Sequence, residues 1–464
     1  MNTDRIIPPH EAEAAANDLT VPQGAAATAD IVPAAALAGH PPHVGRYRWI
    51  VCALLFFATT INYIDRQILS LIKPILDEQL HWTDSQFGLV NSAFQGAYGV
   101  SLLIFGWLVD RFGTKIGYAL SIGAWSVMAM SHALVGSVGG FIAARVGLGL
   151  GEGGNFPSAI KAVALWFPRK ERALATSIFN SGSNVGAIIA PAIVPWVALT
   201  WGWHMAFILA GVAGMLWLLF WLPFYNVPEK IAALTAAERD YIDSDREPHE
   251  ASVPWGSLLR YRQTWSFLVA KFVTDPVWWF FLIWLPDFFK KTYHLDIKKS
   301  WDKLVTIYAI ITVLSILGGW VTGYLARCGW TVTRARKTGM LIFAFCVVPV
   351  MAATKVSVWP AVLLIALAGA AHQAWSANLY TTVSDMFPKS AVASVTGMGG
   401  LAGAIGGMIY PLYCGHVLDV FKARGNESGA YANLLLICAF AYVATFAVHH
   451  LLAPRFERFA FAEK

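Results

Sequence analysis

Charged residues are scarce in this chain of 464 residues: they make up 13% of it, about half of the ~25% that is usual in soluble domains. Cysteine is also rare, and the five cysteines stand singly, with no CxxC pair and no cluster with histidine. That spacing gives no support for a disulfide framework or a metal site. A phosphate-binding loop and a GxSxG nucleophile elbow are absent from the sequence as well. We therefore expect neither an enzyme nor a bound cofactor or metal.

Apolar residues are abundant instead, at 57% of the chain, and they form repeated long runs. At ~1.5 Å per helical residue, a run of about twenty crosses the ~30 Å hydrocarbon core of a bilayer. Twelve spans are predicted, at about 48–71, 85–109, 115–135, 139–166, 173–199, 204–224, 265–289, 302–326, 337–357, 359–386, 391–420 and 429–452. The predicted fold is an all-α integral membrane protein of twelve transmembrane helices in two pseudo-symmetric six-helix bundles, surrounded by lipid. The basic residues are spread over loops, so the net charge of +6 gives no indication of nucleic-acid binding.

Polar stretches divide the apolar ones. The predicted organisation is a flexible cytoplasmic tail at 1–44, six-helix bundles at 45–225 and 265–453, a cytoplasmic linker at 226–264 and a second cytoplasmic tail at 454–464. The first tail is rich in alanine, proline and small polar residues and has no apolar run of signal-peptide quality. In the linker, Thr235 and Glu238 have the spacing of a capping box ahead of a helical pattern, which predicts a short surface helix.

Basic residues near the span ends predict the orientation, because cytoplasmic loops of membrane proteins are enriched in lysine and arginine. The residues that favour one side are Arg46, Arg48, Arg111, Lys115, Arg169, Lys170, Arg172, Arg327, Arg334, Arg336, Lys337, Arg455 and Arg458. The loop after span 7 disagrees, with Lys290, Lys291, Lys298 and Lys299. The majority predicts a multi-pass protein of the bacterial inner membrane with both termini in the cytoplasm.

The two predicted bundles repeat one another at an offset of 220 residues. The matched features are Phe167-Pro168 with Phe387-Pro388, Pro191 with Pro411, Gly149 with Gly369, and Gly186 with Gly406. Parallel six-span repeats are typical of transporters, which hold substrate between the halves near the bilayer midplane. The same offset matches Glu152 with His372, so each half presents an ionisable residue at an equivalent position.

The segment RVGLGLGEGGNFPSA brings charge into an apolar span. Arg145, Gly149, Glu152 and Phe156 recur at helical spacing and form one stripe. A carboxylate inside a span is costly unless it faces a bundle interior or a water-filled cavity. Two interpretations are open: Glu152 forms a structural ion pair with Arg145, or it titrates or binds a ligand. The second is the default for a charge buried in a membrane.

Span 1 carries the sequence INYIDRQ. Asn62, Tyr63 and Arg66 share a helix face because they are three and four residues apart. The planar guanidinium of an arginine suits a small carboxylate, since it binds two oxygens at once. The alternatives are a structural pair between Asp65 and Arg66, or an arginine that extends to the membrane interface.

Spans 10 and 7 supply further candidates. His372, Ser376 and Tyr380 step by four and share a stripe that could face a central cavity; a histidine that is merely hydrogen-bonded is the alternative. Span 7 holds three tryptophans that could stack on the apolar face of a sugar, Trp278, Trp279 and Trp284, and Trp278 is the preferred candidate. A lipid-facing aromatic belt is the alternative for at least two of them.

The sequence GWLVDRFGTKIG lies between spans 2 and 3, and a weaker echo, GYLARCG, follows span 8. The first resembles the signature G-x-x-x-D-R-x-G-R/K of the major facilitator superfamily. This resemblance implies the major facilitator fold and a cytoplasmic gate that does not touch substrate. The gate residues it implies are Gly106, Asp110, Arg111 and Gly113.

Three further motifs resemble the anion:cation symporter family: N-Y-x-D-R in span 1, R-x-x-x-x-x-x-E-G in span 4 and W-F-P-x-x-E-R-A-x-A after it. Within that family, TKIGYA, FNSGSNVGAIIAP, DPVW and AHQA are similar to bacterial hexuronate transporters. The resemblance implies uptake of an organic anion together with protons. Ser183 stands where aldonate carriers of the family have a glutamine, and a glycine-rich stretch at 404–407 replaces their asparagine, which argues against an aldonate.

The resemblance also implies roles for individual residues. Arg66 binds the substrate carboxylate, and Asp65 and Glu152 handle protons. From its helical spacing to Glu152, Arg145 is expected to support them as an ion-pair residue. The predicted substrate contacts are Asn62, Tyr63, Arg66, Tyr98, Ser183, Trp278, His372, Gln373, Trp375, Ser376 and Tyr380.

The leading hypothesis is a monomeric secondary active transporter that takes up a hexuronate, such as glucuronate or galacturonate, with protons by alternating access. One alternative is a proton symporter of another organic anion, which could be an aldonate, a dicarboxylate or an aromatic carboxylate. A more remote alternative is a membrane sensor that binds a ligand without transporting it.

Overall fold

The computed structural model describes residues 45–244 and 255–456; the expected tail at 1–44, part of the linker and residues 457–464 lie outside these ranges. Within them every long element is a helix. The helices are α1 (Tyr47–Leu80), α2 (Asp84–Ser131), α3 (Val138–Glu152), α4 (Asn155–Trp166), α5 (Arg169–Trp201), α6 (Trp203–Phe224), α7 (Ala236–Asp243), α8 (Trp255–Leu258), α9 (Arg262–Tyr293), α10 (Ile297–Arg327), α11 (Val332–Val347), α12 (Val358–Met386), α13 (Lys389–Ala423) and α14 (Glu427–Leu452).

Ten helices in the described ranges are long and apolar enough to cross a membrane. One of them, α2, contains two crossings, because its 48 residues extend about 72 Å if straight and the backbone turns at Gly113, where φ is +80°. Another crossing consists of α3 and α4, which are separated at Gly153 and Gly154. The helices therefore account for all twelve predicted spans, and the all-α membrane fold is confirmed.

The predicted repeat appears as equivalent helix packing in the two halves. A Cβ atom added to Gly186 of α5 would lie 2.6 Å from the carbonyl oxygen of Thr60 on α1. In the second half, a Cβ atom added to Gly406 of α13 would collide with the carbonyl oxygen of Phe272 on α9. Both glycines therefore permit a close approach between the fifth helix and the first helix of their half.

The connections between helices repeat as well. The amide of Phe167 donates to Val163 at 3.0 Å where α4 ends, and the amide of Phe387 donates to Val383 at 2.9 Å where α12 ends. A proline then precedes the next helix in each half, at positions 168 and 388. Because these sites are 220 residues apart, the sequence repeat and the structural repeat coincide.

Buried charges join the two halves at one end of the molecule, which we name the closed end. Lys73 of α1 lies 2.9 Å from Asp84 of α2 and 3.0 Å from Asp287 of α9. Lys291 of α9 lies 2.6 Å from Asp84 and 2.9 Å from Asp287. Tyr431 of α14 donates to Asp287 at 2.5 Å. The network thus links two helices of the first half to two of the second.

Towards the opposite end, which we name the open end, α2 and α13 separate. A Cβ atom at Gly88 or Gly415 would collide with the backbone of the facing helix, and one at Gly99 would lie 3.0 Å from Ala404. A Cβ atom at Gly106, about two turns further along α2, would meet no described atom within 4 Å. The close approach of these two helices at glycines is therefore found at Gly88, Gly99 and Gly415 and not at Gly106.

The predicted linker helix is α7, and its role differs from the expected one. Thr235 caps it by accepting from the amide of Glu238 at 3.2 Å. The carboxylate of Glu238 is turned to the start of α1, where it accepts from the amides of Tyr47 and Arg48, each at 3.1 Å. The first amides of a helix lack intrahelical partners and attract negative charge. Glu238 is therefore buried and caps α1 instead of completing a capping box on its own helix.

Candidate functional site

Arg66 lies deep in α1, with a side chain that is 8% exposed, and its Nε lies 2.6 Å from Oε2 of the fully buried Glu152 on α3. The expected pair between Glu152 and Arg145 is not formed. These two residues are seven positions apart on one helix, a rise of about 10.5 Å, whereas α1 crosses α3 at the level of Glu152. The sequence identified both charged groups of the pair but not their pairing.

Aromatic rings surround the guanidinium of Arg66. Its Cζ lies 4.6 Å from the ring centroid of Tyr98, 5.3 Å from that of Tyr63 and 5.5 Å from that of Phe94. Trp279 of α9 completes the set at 5.4 Å. Cations are attracted to aromatic rings at such distances. Because α9 belongs to the second half, Arg66 sits where the two halves meet.

Hydrogen bonding leaves part of Arg66 available. Its Nε is used by Glu152, while its two terminal nitrogens make no hydrogen bond to the described part of the chain. These atoms form one edge of the planar fork that binds carboxylates in a bidentate manner. The arrangement can therefore accept an anion without first losing the contact to Glu152.

Asp65 and Arg145 are buried close to this pair but are not joined to it. Both carboxylate oxygens of Asp65 lack a hydrogen-bond partner among the described residues, and so do Nε and one terminal nitrogen of Arg145. The expected pair between Asp65 and Arg66 is not formed, because consecutive helical residues point about 100° apart. An ionised carboxylate without a partner is costly in such a place.

His372, the repeat counterpart of Glu152, lies in the core of the second half. Its Nδ1 is 2.5 Å from the hydroxyl of Tyr442, and its ring stacks on Trp278 with centroids 5.3 Å apart. Trp375 is fully buried with its ring 5.6 Å from that of Tyr442. The interpretation of Trp278 and Trp375 as substrate contacts is therefore not supported, because both rings pack inside the second half.

The lipid-facing interpretation of the span-7 tryptophans is wrong. Trp278 and Trp284 are buried in the protein core, and Trp284 packs against Phe87 with centroids 5.1 Å apart. Trp279 is half-buried and contacts Arg66. The functional candidate in this span is thus Trp279, the neighbour of the predicted Trp278.

The remaining span-10 candidates become more accessible towards one end of α12. Gln373 and Ser376 are half-buried, and Tyr380 is 39% exposed. The Nζ of Lys271 lies 4.6 Å from the ring centroid of Tyr380 and 2.6 Å from Asp275 on the same helix. The sequence analysis missed Lys271, for which the signal was a lysine inside an apolar span with an aspartate four residues later.

Two other predicted contacts are buried without reaching Arg66. The hydroxyl of Ser183 donates to the carbonyl of Asn180 at 2.6 Å, a bond within α5. Asn62 is buried one turn before Arg66 on α1. Asn62 shares a helix with Arg66, and Ser183 lies on α5, which packs closely on α1 at Gly186, so both stay candidates for substrate contact.

The gate motif joins two helices of the first half. Asp110 lies 2.7 Å from Lys161 of α4, which also donates to the carbonyl of Val109 at 2.8 Å. Arg111 is exposed beside a tryptophan ring. Gly113 holds the positive φ that other residues rarely adopt. With Gly106 these residues lie at the open end, where their role as a gate stays a prediction.

Two repeated halves of membrane-spanning helices, with a buried ion pair of the first half beside their junction, are the architecture of secondary transporters. A family model described as Major Facilitator Superfamily matches residues 55–411, and the chain belongs to this superfamily. It is a transporter and not an enzyme. The resemblance read from the sequence motifs is thereby confirmed.

Individual relatives agree with this assignment. The chain is similar to the hexuronate transporter of Escherichia coli (strain K12), at 34% identity over 80% of this chain and 88% of the relative. It is similar to the galacturonate transporter of Dickeya chrysanthemi, at 33% identity over 59% of this chain and 81% of the relative. The crystal structure of a bacterial homolog of the human lysosomal transporter Spinster has the same fold, with a TM-score of 0.70 at 19% identity, covering 88% of this chain and 97% of that one.

Proposed function

We propose that this protein takes up a hexuronate, such as glucuronate or galacturonate, together with protons. The observation that carries the proposal concerns the two terminal nitrogens of Arg66. They make no hydrogen bond to the described residues, and aromatic rings from both halves surround their guanidinium. The names of the relatives, a hexuronate transporter and a galacturonate transporter, support the substrate class. A carboxylate suits the guanidinium, and the aromatic rings suit the apolar face of a sugar ring.

Coupling follows from competition for one cation. A substrate carboxylate that binds the terminal nitrogens of Arg66 shares the positive charge that now compensates Glu152. Glu152 is fully buried, so its ionised form then becomes more costly and a proton is taken up. Asp65 is a second proton site, since it is buried without a partner among the described residues. Substrate and proton thus favour each other's binding.

Alternating access completes the cycle. The closed end opens when its network of lysines and aspartates separates, and the open end closes as α2 and α13 meet along their full length. Substrate and proton drive this change only through their different affinities for the two states. We place the protein in the bacterial inner membrane as a monomer, with the closed end towards the periplasm and both termini in the cytoplasm, as the distribution of basic residues favours.

The test is uptake of labelled glucuronate and galacturonate into proteoliposomes, with and without an inward proton gradient. Wild type is compared with Arg66→Ala and Arg66→Lys, and Arg424→Ala serves as control because Arg424 is exposed at the end of α13. We expect gradient-dependent uptake that Arg66→Ala abolishes and Arg424→Ala preserves. Because lysine cannot bind two carboxylate oxygens side by side, Arg66→Lys should raise KM.

Two outcomes would redirect the proposal. Gradient-dependent uptake of an aldonate, a dicarboxylate or an aromatic carboxylate alone would retain the mechanism and replace the substrate. Saturable binding of an acid without uptake under any gradient would favour a ligand sensor over a symporter.

A further inference from the structure

The second half contains a buried ion pair that the mechanism above does not use. Lys271 and Asp275 lie one turn apart on α9, with Nζ 2.6 Å from Oδ2 and side chains that are 6% and 19% exposed. On the facing helix α13, a Cβ atom at Gly403 would collide with the carboxylate of Asp275. The backbone of α13 therefore leaves room for this carboxylate.

The pair lies on the same face of α9 as the contact to Arg66. Lys271, Asp275 and Trp279 are spaced by four residues, so they form a stripe, and Trp279 lies 5.4 Å from Arg66. Asp275 is about 6 Å and Lys271 about 12 Å along the axis from Trp279. This direction leads away from Asp287 at the closed end. The exposed ring of Tyr380 packs on Lys271, so the pair borders the space between Arg66 and the open end.

A purely structural role does not explain the pair. Both residues belong to α9, so their ion pair joins no two helices. Burying two charges also carries a desolvation cost that an ion pair often fails to recover. A pair of this kind is accounted for more readily by a ligand that uses its donor and its acceptor.

We propose that Lys271 and Asp275 bind the hydroxyl-bearing end of the sugar acid and exclude a second carboxylate, so that the transporter selects monocarboxylates over six-carbon dicarboxylates. This inference rests on the function proposed above. Hydroxyl groups both donate and accept hydrogen bonds, and an ammonium beside a carboxylate offers both partners. A second substrate carboxylate would lie beside the carboxylate of Asp275, and Lys271 is already paired with Asp275. Repulsion between like charges then disfavours the binding of a dicarboxylate.

The test is a competition assay in proteoliposomes, with labelled galacturonate as the transported acid and unlabelled galactarate as the competitor. Asp275→Asn leaves Lys271 without its counter-charge, so we expect the half-inhibiting concentration of galactarate, relative to that of unlabelled galacturonate, to fall at least tenfold. Asp77→Asn is the matched control, because Asp77 forms the same type of ion pair with Lys73 at the closed end. This control should leave the ratio of the half-inhibiting concentrations of galactarate and galacturonate unchanged.

A second variant distinguishes the effect of an unpaired Lys271 from the effect of losing the Asp275 carboxylate. Lys271→Gln combined with Asp275→Asn removes the repelling carboxylate together with the attracting ammonium, so it should raise the KM for galacturonate and lower the relative half-inhibiting concentration of galactarate less than Asp275→Asn alone does. If Asp275→Asn supports no uptake, equilibrium binding of both acids to the purified protein is measured and judged by the same ratio.

The outcomes distinguish this inference from the proposed function. Wild type that takes up galacturonate, combined with an unchanged ratio in Asp275→Asn, overturns the inference alone. Wild type that takes up no sugar acid overturns the proposed function, and the selectivity inference with it.

Discussion

Lys73 on α1 and Asp287 on α9 lie 3.0 Å apart with both side chains almost completely buried, and their contact joins the two halves at the closed end. Asp287 also contacts Lys291 at 2.9 Å and accepts from Tyr431. One carboxylate thus serves two cations and a hydroxyl. The stability of the closed end depends on it more than on any exposed ion pair.

Asp287→Asn should favour opening of the closed end. Removing one partner of a buried ion pair costs about 3–5 kcal/mol, because the remaining charge is left buried, and here two lysines each lose one of their counter-charges and keep Asp84. Spin labels at Glu78 and His294, both exposed near this end, should show a longer distance in the variant by pulsed electron resonance.

Asp302→Asn is the control for this measurement, since Asp302 pairs only with its neighbour Lys303 in the described part of the chain. Distance distributions in Asp287→Asn that match those of wild type would mean that the network does not hold the end closed.

Glu152→Gln should separate substrate binding from proton coupling. Glutamine retains a hydrogen-bond acceptor for Arg66 but has no negative charge and cannot take up a proton when a substrate carboxylate binds. We expect exchange of labelled for unlabelled galacturonate to continue, while accumulation driven by a proton gradient is lost. Both are measured in proteoliposomes, and Glu78→Gln, at an exposed position on α1, should behave as wild type.

Asp65→Asn is a second test of the proposed proton coupling. We expect reduced accumulation here as well, because a buried proton site is removed. Full gradient-driven uptake in both Asp65→Asn and Glu152→Gln would contradict the proposed coupling.

Gly406→Ala should destabilise the protein, because its Cβ atom would collide with the backbone of α9 at Phe272. Overpacking of this kind typically costs about 1–3 kcal/mol, which a lower thermal unfolding temperature in detergent would report. Gly400→Ala, on the same helix, is the matched control, because a Cβ atom there meets no described atom within 4 Å. Equal unfolding temperatures for the two variants would show that α13 does not pack as described.

The sequence predicts the fold well, for a physical reason. Apolar length determines which segments cross the membrane, and the Phe-Pro pairs mark the same helix boundaries in both halves because a proline disfavours helical backbone at the residue before it, and both phenylalanines are extended. Arg66 and Tyr63 were predicted because local spacing and family motifs both point to them, and Tyr98 was predicted from the family resemblance alone. These features depend on residues that are close in the chain.

The partners within the site could not be predicted in the same way. Whether Glu152 meets Arg145 or Arg66 depends on the depth at which α1 crosses α3, which no local pattern contains. Trp278 was preferred to Trp279 because span 7 is aromatic on every face, so its periodicity does not indicate which side faces Arg66. Lys271 was missed although its partner Asp275 stands four residues later in the sequence; only its contact with the ring of Tyr380 requires α9 and α12 to be packed together.

The docking of α7 has a consequence for how far the halves can move. Glu238 binds this helix to the first half through the start of α1, and α8 begins at Trp255, twelve residues after α7 ends at Asp243. A chain of that length spans at most about 40 Å when fully extended. The first part of the long polar stretch between the bundles therefore moves with the first half, and the length of chain that limits the relative travel of the halves is shorter than the sequence suggests.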